Sequence, residues 1–220
     1  MKCKAKADIG FILDSSGSLR NEYHKEKEFL KLLAATANIG PDDGRAGVVT
    51  FSDKALHSIK LNEHTDISSF DAAVDRIPLL GSITRIDLAL RLAQKELFSP
   101  ENGGRPNVPE TLILLTDGSQ TKTSDSEDPG DVADEILKSG VQIIVIGIGK
   151  VGAGINKEEL DHMAGGDGKA YIVKSFDELQ DEEFVDKLSE ETCKTGRCLS
   201  NTKLKCWMTG QTIPFFQKWE

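Results

Sequence analysis

Three short runs, almost wholly apolar, constrain the chain more than any other feature. Residues 7–13 read Ala-Asp-Ile-Gly-Phe-Ile-Leu, residues 111–115 read Thr-Leu-Ile-Leu-Leu, and residues 141–148 read Val-Gln-Ile-Ile-Val-Ile-Gly-Ile. Each is too short for a helix of usual length and too continuously apolar for a strand with one wet face. Such runs fit strands buried on both faces, as in parallel sheets. Residues 45–51 add a further strand. Residues 55–61 alternate as an edge strand should, and the short link Ser52-Asp53-Lys54 makes the pair a hairpin.

Helical patterns separate these strands. Tyr23, Phe29, Leu30, Leu33 and Ala37 give residues 19–38 one apolar face, and Gly40-Pro41 stops the run. A second helix is expected from Asp66 and a third over Thr84–Phe98. Asp128-Pro129-Gly130-Asp131 reads as a capped helix start, and Asn156–Glu159 and Ser175–Glu178 carry capping-box spacing. The last helix is expected near 176–191, after a short strand Tyr171-Ile172-Val173. Alternating strands and helices mean an α/β, mostly parallel sheet with helices on both faces and one antiparallel edge strand. In open sheets of this kind ligands bind beyond the carboxyl ends of the strands.

The loops at those ends carry oxygen. Asp14, Ser16 and Ser18 follow the first strand, Thr84 opens a helix after Gly81-Ser82-Ile83, and Asp117 ends the strand at 111–115. Two carboxylates and three hydroxyls, with no nitrogen or sulfur, suit one divalent cation of the hard kind, Mg²⁺ first, Ca²⁺ or Mn²⁺ otherwise. Singly, each piece has a plain reading. Asp-Ser-Ser-Gly-Ser makes a turn, Thr84 with Asp87 makes a helix cap, and Thr-Asp-Gly is common after a strand. Their arrival together at one end of one sheet favours a metal site.

These residues carry a family resemblance. Asp8-Ile9-Gly10-Phe11-Ile12-Leu13-Asp14-Ser15-Ser16-Gly17-Ser18, Gly47-Val48-Val49-Thr50-Phe51-Ser52, Gly81-Ser82-Ile83-Thr84 with Ala89-Leu90, Leu114-Leu115-Thr116-Asp117-Gly118 and Val145-Ile146-Gly147-Ile148-Gly149 resemble a von Willebrand factor type A domain, also called an integrin inserted-type domain. The resemblance covers roughly residues 5–192. It implies a six-stranded, Rossmann-like sheet and a metal-ion-dependent adhesion site. It implies that Ser16, Ser18 and Thr84 coordinate the ion directly or nearly so, that Asp14 and Asp117 act directly or through water, and that a partner's Glu or Asp completes the octahedron. One departure concerns the Thr84 loop. Family members often have Gly-Gly before this Thr and a second Thr two residues later, where this chain has Ser82-Ile83 and Ile86. No proposed ligand is lost, but loop shape and partner choice are open.

Composition narrows the setting. A net charge of −9 over 220 residues, with no Lys/Arg run, argues against a nucleic-acid partner. No stretch reaches the roughly 20 apolar residues of a membrane span. Met1-Lys2-Cys3-Lys4 has no apolar stretch behind it, so it is not a signal peptide. Cys3, Cys193, Cys198 and Cys206 flank the expected core rather than fill it. They allow three pairings, of which Cys3–Cys193 with Cys198–Cys206 is the most economical. Cysteines so placed argue for an oxidising compartment, and for a domain cut from a longer extracellular chain with a Met added. The expected domain spans residues 3–193. Residues 194–220 form a tail of unknown nature.

Other features carry less. Gly147-Ile148-Gly149-Lys150-Val151-Gly152 matches a dinucleotide fingerprint, but the next helix start, Asn156, is too late to cradle a pyrophosphate. His24, His57, His64 and His162 lack metal spacing. The acidic stretch 125–131 lacks a full calcium-loop pattern. The expected function is therefore a non-enzymatic, metal-dependent binding module of an extracellular matrix or cell-surface protein. The alternatives are a self-assembling or mineral-binding matrix protein, an intracellular scaffold subunit of the same fold, and a metal-dependent hydrolase using Asp53 or Asp87 as base.

Overall fold

The computed structural model describes residues 6–152, 154–166 and 168–193. Six strands form one sheet: β1 (Asp8–Asp14), β2 (Arg45–Phe51), β3 (Ala55–Ile59), β4 (Glu110–Thr116), β5 (Gln142–Ile148) and, at the far edge, β8 (Tyr171–Val173). The two-residue strands β6 (Lys150–Val151) and β7 (Gly154–Ile155) pair separately. The order across the main sheet is β3-β2-β1-β4-β5-β8, and the β2–β3 pair is antiparallel while the other pairs are parallel. The six-stranded, mostly parallel sheet with one antiparallel edge strand is thus observed.

The order reverses between β1 and β4. From β1 the chain builds outward through β2 and β3, then returns to the other side of β1 and builds outward through β4, β5 and β8. Crossovers leave from this junction in opposite directions, so a crevice opens between the carboxyl ends of β1 and β4. Asp14 and Asp117 sit at those two ends.

Helices α1 (Tyr23–Thr36), α2 (Ile67–Asp75) and α6 (Glu182–Cys193) cover one face of the sheet; α3 (Ile86–Leu92), α4 (Pro129–Lys138) and α5 (Lys157–Met163) cover the other. The pleat of β1 divides its side chains accordingly. Ile9, Phe11 and Leu13 join Phe29, Leu30 and Phe70 on the α1 side, while Ile12 joins Ile86, Leu90 and Val132 on the α3 side. Phe11, Phe29 and Phe70 are fully buried, each contributing about 1.5–3 kcal/mol relative to exposure in water. On the α3 side, Leu97 closes a π-type turn (Ala93–Leu97) and lies directly on the sheet. A Cβ at Gly10 would come within 2.3 Å of Leu97, and one at Gly47 within 2.9 Å, so both strands need glycine for this approach.

Several expectations need correction. The helix expected over 19–38 is a 3₁₀ turn (Gly17–Asn21) followed by α1, and the one expected over 84–98 is α3 followed by the π turn. Residues 176–191 are not one helix either: a 3₁₀ turn (Phe176–Gln180) precedes α6, and Asp181 restarts the chain by accepting from the Phe184 N–H at 3.1 Å. The Ser175–Glu178 capping box does not form. Ser175 makes no cap bond, and Glu178 instead accepts from the Lys174 N–H at 2.8 Å. Asp66, Asp128 and Asn156 do cap their helices. The expected Cys3–Cys193 and Cys198–Cys206 links and the 194–220 tail lie outside the described residues and side chains.

Candidate metal site at the strand switch point

Asp14 forms the floor. Register brings β1 and β4 level, Leu13 beside Leu115, so the next residues, Asp14 and Thr116, face each other. The Thr116 hydroxyl donates to Asp14 Oδ2 at 2.7 Å, and the Ser16 N–H donates to Oδ1 at 2.8 Å. Asp14 is fully buried, and burial pushes its carboxyl up to about 6, against the hydrogen bonds from Thr116 and Ser16 and with help from the nearby Asp117.

The hydroxyls rise from that floor. Ser16 Oγ lies 3.1 Å from Ser18 Oγ, and Ser18 Oγ donates to Asp117 Oδ1 at 2.9 Å. Burial raises the Asp117 carboxyl as well, partly offset by the Ser18 bond. Thr84 enters from the third loop, its Oγ1 3.8 Å from where a Cβ on Gly118 would stand. The structure therefore brings all five residues together. Ser18 is exposed while Thr84 and Asp117 are half-buried, so the floor is closed and the mouth is open to solvent.

Contacts distant in sequence hold the loops in place. The Gly17 N–H donates to Ser82 O at 2.9 Å and the Gly81 N–H to Ser15 O at 2.8 Å. Ser15 Oγ accepts from the Leu80 N–H at 2.7 Å. Ser52 Oγ accepts from the Ser82 N–H and donates to Ile83 O, both at 2.9 Å. A Cβ at Gly17 would press on Gly81 O at 3.2 Å, so any larger residue there would push the Gly81 loop outward. Ser15, Ser52 and Thr116 had no role in the sequence reading, although each lies inside a quoted motif; their partners are 30 to 102 positions away.

The helix-cap reading of Thr84 fails. The N-cap of α3 is Arg85, and the first amides of the helix are satisfied from another loop: Gln120 Oε1 accepts from Ile86 N–H at 2.7 Å and Asp87 N–H at 3.2 Å. Asp87 is not available as a hydrolytic base. Arg85 takes both of its oxygens, at 2.9 and 2.8 Å. Burial alone would raise Asp87, but hydrogen bonds from Arg85, Gln120 and the Glu127 N–H outweigh it and hold the carboxyl below its ordinary range. The acidic stretch is also occupied: Asp125 binds Arg85, Glu127 binds Arg91, and Asp128 caps α4. The glycine fingerprint itself contains β6, and β7 follows before α5 begins at Lys157.

The donors fit a hard dication. Two carboxylates pushed up by burial, with Asp117 adding to the rise of Asp14, and joined by neutral hydroxyls, form a pocket short of positive charge. Among the described residues there is no metal-type grouping of three or more His, Cys, Asp or Glu, so a cation held by them would have to enlist neutral oxygen donors such as these hydroxyls. No described helix is long and apolar enough to cross a membrane.

Comparison with known proteins agrees with this fold. Residues 8–185 match the von Willebrand factor type A domain. The chain is 36% identical over 180 residues to human collagen alpha-6(VI), covering 81% of this chain and 8% of that one. It is 30% identical over 207 residues to chicken matrilin-3, covering 91% of this chain and 43% of that one. The chain thus spans less than half the length of each of these curated relatives. Among solved structures, proximal thread matrix protein 1 from the mussel byssus superposes with a TM-score of 0.76 at 28% identity, over 87% of this chain and 47% of that one. A further structure of that protein, with a zinc-occupied MIDAS motif, gives a TM-score of 0.75 at 29% identity, with the same coverage. Collagens and matrilins are extracellular matrix proteins, in agreement with the compartment inferred from the cysteines. The fold, the strand-end loops and the match over residues 8–185 place this chain in the von Willebrand factor type A domain family.

Proposed function

We propose that the domain is a divalent-cation-dependent protein-binding module of an extracellular matrix or cell-surface protein, with no catalytic role. The observation that supports this best is the convergence of Asp14, Ser16, Ser18 and Asp117 into one hydrogen-bonded group, with Thr84 alongside, at an open switch point. Asp14, Ser16, Ser18, Thr84 and Asp117 would hold the ion, directly or through water. Oxygen-only donors favour Mg²⁺ over zinc, although a mussel relative holds zinc in its motif. When bound, the ion supplies an open coordination position for an acidic side chain of the partner.

The residues of the chain set the terms of that binding. Two carboxylates balance a dication, so no net field draws an anion from a distance. Affinity for a lone carboxylate is then weak, and specificity falls to the rim, where Ile83 and Val151 are exposed beside the Thr84 and Asp117 loops. The test is binding to collagen-rich matrix extract with Mg²⁺, with EDTA, and with Asp14→Asn or Thr84→Ala. Binding is expected in the first condition and lost in the others. Binding unchanged throughout would refute this reading.

A further inference from the structure

Thr84 and Asp117 belong to different loops, and a set of largely buried polar contacts joins them. Arg85 follows Thr84 directly and is 5% exposed. Its guanidinium forks onto Asp87 at 2.9 and 2.8 Å and reaches Asp125 Oδ1 at 3.2 Å. Asp87 also accepts from Gln120 Nε2 at 2.6 Å and from the Glu127 N–H at 3.1 Å. Thr84 is held on both sides of its own peptide: its N–H donates to Thr121 Oγ1 at 3.2 Å, and its carbonyl accepts from the Thr121 N–H at 2.8 Å. Residues 84–87 are thereby tied to residues 120–127, the segment that runs on from Asp117.

We propose that Arg85 is a positioning residue for the cation: the buried clamp it heads locks the Thr84 loop to the Asp117 loop and biases the site toward Mg²⁺ over Ca²⁺. This rests on the metal reading above. Mg²⁺ requires near-ideal octahedral ligands at about 2.0–2.1 Å, whereas Ca²⁺ accepts six to eight ligands at about 2.3–2.6 Å in flexible arrangements. An octahedron with the shorter bonds has edges of about 2.9 Å, and one with the longer bonds has edges of about 3.4 Å. Ser16 Oγ and Ser18 Oγ are 3.1 Å apart, and Ser18 Oγ and Asp117 Oδ1 are 2.9 Å apart. Hydrogen bonds set these spacings; the shorter coincides with the smaller edge and the longer lies between the two, nearer the smaller. Loops clamped to one another cannot spread to follow a larger ion; loops released from the clamp can.

Titration calorimetry with MgCl₂ and with CaCl₂ tests this on the parent, on Arg85→Lys and on Thr121→Val. Lysine keeps the charge but cannot make the fork. Thr121→Val leaves the ion pairs intact and removes the acceptor of the Thr84 N–H, so it serves if the first variant folds poorly. Loss of an orienting partner costs roughly tenfold or more in affinity. Mg²⁺ affinity is expected to fall by about that factor and Ca²⁺ affinity by clearly less, so that the preference narrows. Amide exchange at Thr84 and Thr121, measured without metal, is expected to quicken in both variants. A preference unchanged in both folded variants, or equal losses for the two ions, would overturn the inference while leaving the metal site standing. A parent that binds neither ion would remove the metal reading and this inference together.

Discussion

Helix α3 carries a forked arginine at each end, and the two are worth comparing. Arg85, at the N-terminal end, binds Asp87 and Asp125; Arg91, in the last turn, binds Glu127 and Glu135 at 2.6 Å each. The chemistry is the same and the surroundings differ. The Arg85 and Asp87 side chains are 6% and 2% exposed, while Arg91 is 23% exposed and its partners about half. Water screens the second fork and can replace it; the first has no such substitute. Good ion-pair geometry is therefore no measure of contribution. What matters is the state of each group when its partner is gone.

Glu26, on the α1 side of the sheet, extends the comparison. It is fully buried like Asp87, yet among the described residues neither of its carboxylate oxygens has a hydrogen-bond partner. Burial holds its carboxyl well above the ordinary range, with Asp14 and Asp117 adding to the effect. The α3 layer buries an acid and surrounds it with donors; the α1 layer buries one to which no described residue donates.

The largest effect is expected from cutting the buried fork on one side. Arg85→Ala leaves the Asp87 charge buried without its partner, and breaking such pairs costs about 3–5 kcal/mol. Urea unfolding in EDTA measures this apart from any metal contribution. A loss no greater than that of a surface substitution would show that water reaches Asp87 and would erase the contrast between the two forks.

A change of opposite sign is expected at Glu26. Glu26→Met removes this buried acid at similar volume, and is expected to stabilise the domain at neutral pH by about 1–3 kcal/mol. The pH dependence has a definite sign. A folded-state value raised above the unfolded one means that protons favour the folded state, so the contribution of Glu26 is most favourable below the ordinary Glu range and is lost as pH rises through the elevated value. The gain from Glu26→Met should accordingly grow from acid to neutral pH. A destabilised variant would mean that the carboxyl contributes a favourable interaction, and that Glu26 does have a partner.

The smallest effect is expected from Arg91→Ala. The change should be a small fraction of the Arg85 loss and should shrink further in added salt. Equal losses at Arg91 and Arg85 would contradict the argument from burial.

Much of this molecule was legible in its residues. Three apolar runs and intervening helical periodicity were enough for the parallel sheet, because a strand covered on both faces has no polar side to show. Asp14, Ser16, Ser18, Thr84 and Asp117 stood out because oxygen-rich turns at strand ends share a location once the alternation of strands and helices is known. The broken helices were less legible. Asp181 restarts the chain within a run that reads as one helix, and the π turn at Ala93–Leu97 reflects the packing of Leu97 on Gly10 and Gly47.

By itself, then, the sequence determined the layers of the fold and the chemical class of the site, since both follow from local patterns with periods of two to four residues. The tertiary structure alone decided what each polar group answers to. Thr116 supports Asp14 from 102 positions away, Gln120 caps a helix that begins 34 positions earlier, and Arg85 neutralises Asp87 instead of leaving it as a free base. Glu26 shows the same limit from the other side: helical spacing marks it as one more charged residue, and only the packed layers show it enclosed with no partner among the described residues. Hydrogen bonds and desolvation depend on neighbours in space, and folding chooses those neighbours from anywhere along the chain.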